Sequence, residues 1–531
     1  VSARATFAAI ALVGATLAAQ GAGAPPTGGG GGTTATPTLP DLGPPATPPD
    51  GAPPHVARID RDGLRAHAYW LADDARAGRY TTSAGQQATA KYVADHWKKL
   101  GLKPLGDKGW LQSYPLRRTA LDAATAVAFG ASKFDRDLAV LATGETKIAL
   151  TGKFVFCGNG AAASVPPGLA GRIPVVALGA GGGSGVGNDL QAVQRFVDVA
   201  EQLHKQGATA GVVCLLGDKT SLGNTLNYRA LLPDHPQLRY GGGGGAGERG
   251  LPVKLPLLVL SAAQGKALLA HCGVAVGDDG AIDAGKPNDK AAGKLSIVVK
   301  EDDKGVGSNV VGVLEGTSKK AEAVVFSAHH DHVGRRLDGD AFNGADDNAS
   351  GTAGLLEIAE AFALGGPRPA RSIVFLSVSG EELGLWGSDW FAAHPTWPLD
   401  KIVANVNIDM IGRAGRDGDG PIAMQVTPSH AHEKYSSIVR DAVALAKGFG
   451  IAFTSGDTYY ARSDHYNFAK VGVPVVFFCD GEHPDYHQVT DTADRLSYDR
   501  MEAIARLTFW TGWNVANDKA KPTTLGKQPG W

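Results

Sequence analysis

Histidine and carboxylate residues collect at five places in the second half of the chain, each closing an apolar run or preceding a helix. His329 and Asp331 end AVVFSAHHDH, Asp346 and Asp347 lie in NGADDNASG, and Glu381 and Glu382 follow SIVFLSVSG. Asp409 ends VANVNID, and His487 sits in PDYHQVTD. An isolated acidic pair is usually solvated surface; acids and imidazoles that recur at the ends of core strands are not explained that way. Imidazole nitrogen and carboxylate oxygen are zinc ligands, and catalytic zinc keeps one position open for water. A set of this size can hold two ions about 3.5–4 Å apart, with one carboxylate bridging them. A second carboxylate has to stay off the metal to take and return protons, and adjacent glutamates can divide these two roles. Asp331, two residues beyond His329, is suited to orient an imidazole from behind.

Something must carry these residues to one place. From Asn309 onward β-rich and amphipathic runs alternate. Strands are predicted at Val310–Leu314, Val324–Ser327, Ser372–Val378, Ile402–Ile408 and Val475–Phe478. Helices are predicted at Ser350–Leu364, Leu385–Ala393, Ala431–Lys447 and Asp499–Ala516. Such alternation implies an α/β fold with a mostly parallel central sheet covered by helices on both faces. Ligands in such sheets sit beyond the carboxyl ends of the strands, where all five places fall. Two further helices are predicted between Asp62 and Trp97. Residues 118–296 change character: short β-rich runs (Lys153–Cys157, Ile173–Leu178, Ala210–Leu215, Leu255–Leu260) alternate with glycine-rich loops, interrupted by a helix over Asp189–Gln206. This reads as a separate β-rich module. The glycines of IPVVALGAGGGSGVG lack the flanking pattern of a dinucleotide site, and GGGGGAGERG reads as a mobile loop.

The chain has 531 residues, 43% hydrophobic and 20% charged, with a net charge of -2. That is a soluble globular composition without the basic stripe of a nucleic-acid binder. Residues 1–23 resemble a secretory signal peptide, with Arg4 ahead of an apolar run from Phe7 to Leu17 that is too short to span a bilayer. Export to periplasm or medium is therefore expected, without a membrane span. Residues 24–55 are Pro, Gly, Thr and Ala with few large apolar side chains, a composition for a disordered linker. Order is expected from about Val56. Export permits disulfides among Cys157, Cys214, Cys272 and Cys479, and buried free thiols are the equal alternative.

As a set, AHHDH, GADDNASG, GEELGLWGS, NIDMIG, RSDHYNF and YHQVTDT resemble metallopeptidase family 28, the di-zinc aminopeptidases of the leucyl aminopeptidase type. The resemblance implies that His329 and Asp409 hold one Zn2+, that Glu382 and His487 hold the other, and that Asp347 bridges them. It makes Glu381 the general base and Asp331 the residue behind the ligands. Arg462 and Tyr486 match positions that some members use toward substrate or intermediate. His330, His332 and His465 receive no metal role. The implied organisation is an N-terminal helical part of the catalytic domain (56–117), an inserted protease-associated-like module (118–296), a catalytic domain (297–520) and a tail (521–531). The implied substrates are peptides with a free N-terminus. A carboxypeptidase of the same superfamily, a glutaminyl cyclase and a non-catalytic peptide-binding protein are the alternatives.

Overall fold

The computed structural model describes residues 41–179, 186–217, 223, 226, 230–241, 253–277, 280–283, 290–413 and 422–531. The leader, the first part of the linker, most of GGGGGAGERG and the glycines at 180–185 lie outside the described residues. The linker becomes ordered earlier than its composition predicts. The Ala46 N–H donates to Glu502 at 3.0 Å, and the Ala46 carbonyl accepts from Arg506 at 2.6 Å. Glu502 and Arg506 are themselves paired at 3.0 Å on the last helix, Tyr498–Asn517. A buried ion pair thus captures backbone groups of a segment whose prolines already restrict it.

The strands from Ala292 onward, joined at one edge by Lys103–Pro104, build the sheet that carries the five places. Lys319–His329, Arg371–Val378, Ile402–Ile408 and Val475–Cys479 are parallel neighbours, with Lys319–His329 between Arg371–Val378 and Ile402–Ile408. Ile422–Thr427 pairs antiparallel with Val475–Cys479 and parallel with Ile451–Ser455. At the other edge Ala292–Leu314 runs antiparallel to Arg371–Val378. The four parallel strands are buried along their C-terminal halves, as β-branched and aromatic runs covered on both faces should be. Strand order reverses at Lys319–His329, which places a crevice at its carboxyl end.

The predicted strand Val310–Leu314 is only the end of a 23-residue strand, Ala292–Leu314. Its first part pairs with Thr146–Phe156 and its middle with Leu111–Leu121. The expected boundary at residue 296 therefore falls inside a strand. Thr146–Phe156, Ile173–Leu178, Gly211–Leu215 and Leu257–Leu260 form a second parallel sheet, edged by antiparallel Leu138–Leu141. Its faces carry two apolar cores built from Val, Leu, Ile, Ala and Phe. All four cysteines are free and buried. The helix expected from Ala431 begins at Ser437, after Ser436 is held extended in a bridge to Thr524. No helix among the described residues is long and apolar enough to cross a membrane.

The two N-terminal helices are Arg61–Leu71, capped by Asp60, and Ala84–Lys99, capped by Ser83. The turn between them holds Ala77, Gly78 and Arg79 at positive φ. A Cβ on Gly78 would lie 1.8 Å from the Gly334 carbonyl oxygen, so the close approach of these two segments requires glycine.

Candidate metal centre

The five places converge at the carboxyl ends of the parallel strands. His329 terminates Lys319–His329, Asp409 follows Ile402–Ile408, the Glu381–Glu382 pair follows Arg371–Val378, and His487 lies on the loop beyond Val475–Cys479. Asp347 sits in the tight turn Ala345–Ser350 that opens helix Gly351–Leu364. Asp491 fixes that turn by accepting from the N–H groups of Asp346 (3.0 Å) and Asp347 (3.2 Å). Asn348 ties it to the next ligand loop, accepting from Gly351 N–H and Met410 N–H and donating to the Ile408 carbonyl.

Asp347 faces two ways. Its Oδ1 lies 3.3 Å from His329 Nε2, which is also 3.2 Å from Asp409 Oδ1. Its Oδ2 lies 3.0 Å from His487 Nε2, which is 3.1 Å from Glu382 Oε2. Two sets of donor atoms result, His329–Asp347–Asp409 and His332–Asp347–Glu382–His487, each with its atoms within 4.8 Å of one another and Asp347 common to both. Nitrogen and carboxylate oxygen in this proportion fit zinc and related divalent ions.

Asp409 and His329 are held from behind. Ser463 donates its hydroxyl to Asp409 Oδ2 at 2.8 Å. Thr352 donates to the His329 carbonyl at 2.7 Å. His329 Nδ1 faces the Asp331 carbonyl at 3.2 Å and the Asp331 carboxylate at 3.7 Å. The same carboxylate accepts the Glu381 N–H at 3.3 Å.

The neighbouring glutamates differ electrostatically. Burial, joined by the Asp409, Glu382 and Asp464 carboxylates, pushes Glu381 well above the usual carboxylate range, against the pull of His329. Glu382 is equally buried and feels Asp347, yet His487 and hydrogen bonds from His332 and His487 hold it down at about 2. Adjacent carboxylates whose environments push them apart are the usual arrangement where one moves protons and the other stays anionic.

Tyr486 stacks on His487 with ring centroids 3.9 Å apart. With Met410, Phe477, Cys479 and Tyr459 it forms an apolar wall beside the donors. Arg462 stands apart from the donor sets: it is half-exposed, paired with Glu482 at 2.6 Å and placed over the Tyr459 ring.

Two residues stand in the centre that sequence reasoning leaves out. His332 Nδ1 lies 2.7 Å from Glu382 Oε1, inside the second donor set. Its position three residues beyond His329 was the available signal. Asp464, in RSDHYNF, is fully buried among the same charges, and burial with Asp409 and Asp331 pushes it up to about 7. Neighbouring Ser463 and His465 give no hint of that from sequence.

A helix-covered, mostly parallel sheet with two donor sets beyond its strand ends defines the class of zinc-aminopeptidase folds. The solved structure of BSAP, a zinc aminopeptidase from Bacillus subtilis, superposes with a TM-score of 0.51 at 19% identity, covering 87% of this chain and 97% of that one. Residues 309–510 match the family described as peptidase family M28. Aminopeptidase YwaD of Bacillus subtilis (strain 168) is 27% identical over 230 residues, 41% of this chain and 47% of that protein. A probable leucine aminopeptidase of Trichophyton verrucosum is 29% identical over 217 residues, 39% of this chain and 57% of its own length. The match thus spans about half the length of these curated relatives.

Proposed function

We propose that the chain is a zinc-dependent exopeptidase that removes N-terminal, chiefly apolar residues from peptides, with two Zn2+ per chain. The observation that carries the proposal is the two-way placement of Asp347, one oxygen toward His329 and Asp409 and the other toward His487 and Glu382. Zinc, when bound, polarises a carbonyl and makes water nucleophilic at neutral pH. In this reading His329, Asp409, Glu382, His487 and Asp347, which is common to both sets, would hold the metal, and Asp331 orients His329. Glu381 accepts a proton from the attacking water and returns it to the leaving amine. Its raised affinity for a proton suits the first half of that task. The apolar wall of Met410, Phe477 and Tyr486 supports an apolar first residue, and the surplus of carboxylates favours a substrate ammonium. Tyr486 keeps its phenol proton, because burial and the Asp347, Glu382 and Glu381 carboxylates disfavour the phenolate. It is thereby a hydrogen-bond donor for the tetrahedral oxyanion. Arg462, whose charge Glu482 already meets, is assigned to the rim, where it can release toward substrate.

Residues 118–296 are read as an inserted, protease-associated-like module that restricts access. Support comes from its segment near His235, which accepts from Arg335 N–H at 3.0 Å, and from Tyr240, which bonds Asp389 beside the Glu381–Glu382 loop. The apolar leader behind Arg4 supports export, testable by secretion of a leader-fused reporter. The decisive experiment compares free, N-acetylated and C-amidated dipeptides before and after chelator dialysis and zinc return. Zinc-restored hydrolysis of free and C-amidated dipeptides alone is expected. Hydrolysis that needs a free C-terminus instead makes the enzyme a carboxypeptidase, and full activity without metal overturns the proposal.

A further inference from the structure

We infer that the N-terminal segment 79–86, a turn and the first residues of the helix Ala84–Lys99, far ahead of the stretch that matches M28, is a working part of the metal centre, with Thr81 as the positioning residue that sets Asp331. The inference rests on the metal centre proposed above. Thr81 is fully buried and donates its hydroxyl to Asp331 Oδ2 at 2.8 Å. The other oxygen of that carboxylate accepts the Glu381 N–H at 3.3 Å and lies 3.7 Å from His329 Nδ1. One hydroxyl therefore fixes the group that stands behind both a proposed ligand and the proposed base.

The flanking residues brace the same loops. Arg79 is fully buried and gives all its hydrogen bonds to backbone carbonyls: His330 (3.0 Å), Asn343 (2.6 Å), Gly344 (2.8 Å) and Leu71 (2.8 Å). Three of those carbonyls belong to the loops that carry His329 and Asp347. The Arg79 carbonyl accepts the His332 N–H at 3.2 Å, and Tyr80 bridges to His332 as a parallel β-pair. Gln86 Nε2 lies 2.7 Å from His330 Nε2, while His330 Nδ1 meets the Ser377 hydroxyl at 2.9 Å on the strand leading to Glu381. The guanidinium also places a positive charge near Asp347, Asp331, Glu382 and Asp491. Packing alone would need an apolar side chain at 81. A hydroxyl aimed at the one carboxylate shared by ligand and base is a positioning device, of the kind whose loss costs about 10–100-fold in metal affinity or activity.

The test uses the full chain with Thr81→Val, which keeps shape and removes the donor, and Thr81→Ser, which keeps the donor. Zinc dissociation constants are measured by competition with a chromogenic chelator, beside kcat, KM and the melting temperature of the metal-free protein. For Thr81→Val we expect kcat or zinc affinity to fall about 10–100-fold with KM within about twofold, and for Thr81→Ser recovery to within about threefold of the parent. Should Thr81→Val be insoluble, Thr81→Ala is read in the same way. Unchanged zinc affinity and kcat in the donor-less variant, or a Ser variant as impaired as the Val variant, overturns the inference. A parent protein that binds zinc without peptidase activity overturns the proposed reaction while the affinity comparison still decides the role of Thr81. A parent that binds no zinc overturns both.

Discussion

Among the described residues the molecule has two largely parallel sheets, and the buried acids and imidazoles gather at the strand ends of one of them. In the insert, Ile173–Leu178, Gly211–Leu215 and Leu257–Leu260 are buried end to end and run into Gly179, Leu216 and Ser261. In the catalytic sheet, equally apolar strands run into His329, Glu381, Asp409 and Asp480. Between residues 118 and 296 the buried polar side chains among the described residues are Thr119, Thr125, His235 and Ser261. The rest of the chain buries Asp331, Asp346, Asp347, Asp409, Asp464, Asp480 and Asp491, several of them within reach of one another. Parallel strand ends offer a crevice in both sheets. What separates the two is that one buries ionisable groups, a cost that hydrogen bonds and Arg79 help to offset.

That contrast makes opposite demands on mutants, and the largest effect should come from Glu381, the proposed general base. Glu381→Gln should lower kcat by about 10²–10⁴-fold while both metals and the melting temperature are retained. Elemental analysis beside kcat checks it, and a variant that loses an ion reverses the roles of the two glutamates. Glu382→Gln should instead weaken one of the two zinc sites, by more than the about 10–100-fold typical of residues behind a ligand. Titration with chelator should resolve one loosened ion and one unchanged. In the insert the signature inverts. Leu258→Ala, at a fully buried position, should cost about 2–5 kcal/mol of stability and leave kcat per folded molecule unaltered. A large kcat change there would mean that the two sheets are more tightly coupled than their compositions imply.

The smallest effect is acid sensitivity. Burial, reinforced by Lys99, lowers His96 to about 4, and burial lowers His330 to about 4. Both are neutral when folded and protonated in the unfolded chain below about 6.5. The unfolded state therefore binds more protons, and their contribution, complete above pH 6.5, is lost as pH falls from 6.5 toward 4, by at most about 1.4 kcal/mol per group and pH unit. At pH 5, amide exchange should rise first in the helices Arg61–Leu71 and Ala84–Lys99, before the strands of the insert sheet. The insert's one buried histidine, His235, is also lowered to about 4, but it lies where the insert meets residues 334 and 335.

His329, Glu382 and Asp409 are readable because each closes or closely follows an apolar run, so local pattern and tertiary position coincide, whereas His332 is left out. Ile402–Ile408 is predicted to the residue for the same reason. Legibility fails where position depends on distant partners. Ile422–Thr427 and Ile451–Ser455 alternate buried and exposed residues or lie at an edge, and their sequences look like loop. The span of Ala292–Leu314 is hidden because its middle, KEDDKGVG, is charged and glycine-rich yet is paired throughout with Leu111–Leu121, apart from a bulge between Asp302 and Gly305. Thr81 and Arg79 are ordinary turn residues until the fold sets them under Asp331 and His330.

The pairing of Leu111–Leu121 with Ala292–Leu314 also has a consequence in time. Its registers join residues 178 to 199 positions apart in sequence. At a synthesis rate of about 5–20 residues per second, Leu111–Leu121 waits roughly 10–40 s on the ribosome before its long partner emerges. Gln237–Tyr240, which pairs with its central residues, is made sooner and can cover part of that edge. The nascent insert thus has the opportunity to close its own parallel sheet while the metal-binding strands are still unmade. The chain's exposure to edge-to-edge aggregation is then greatest during that interval, before any zinc ligand has been synthesised.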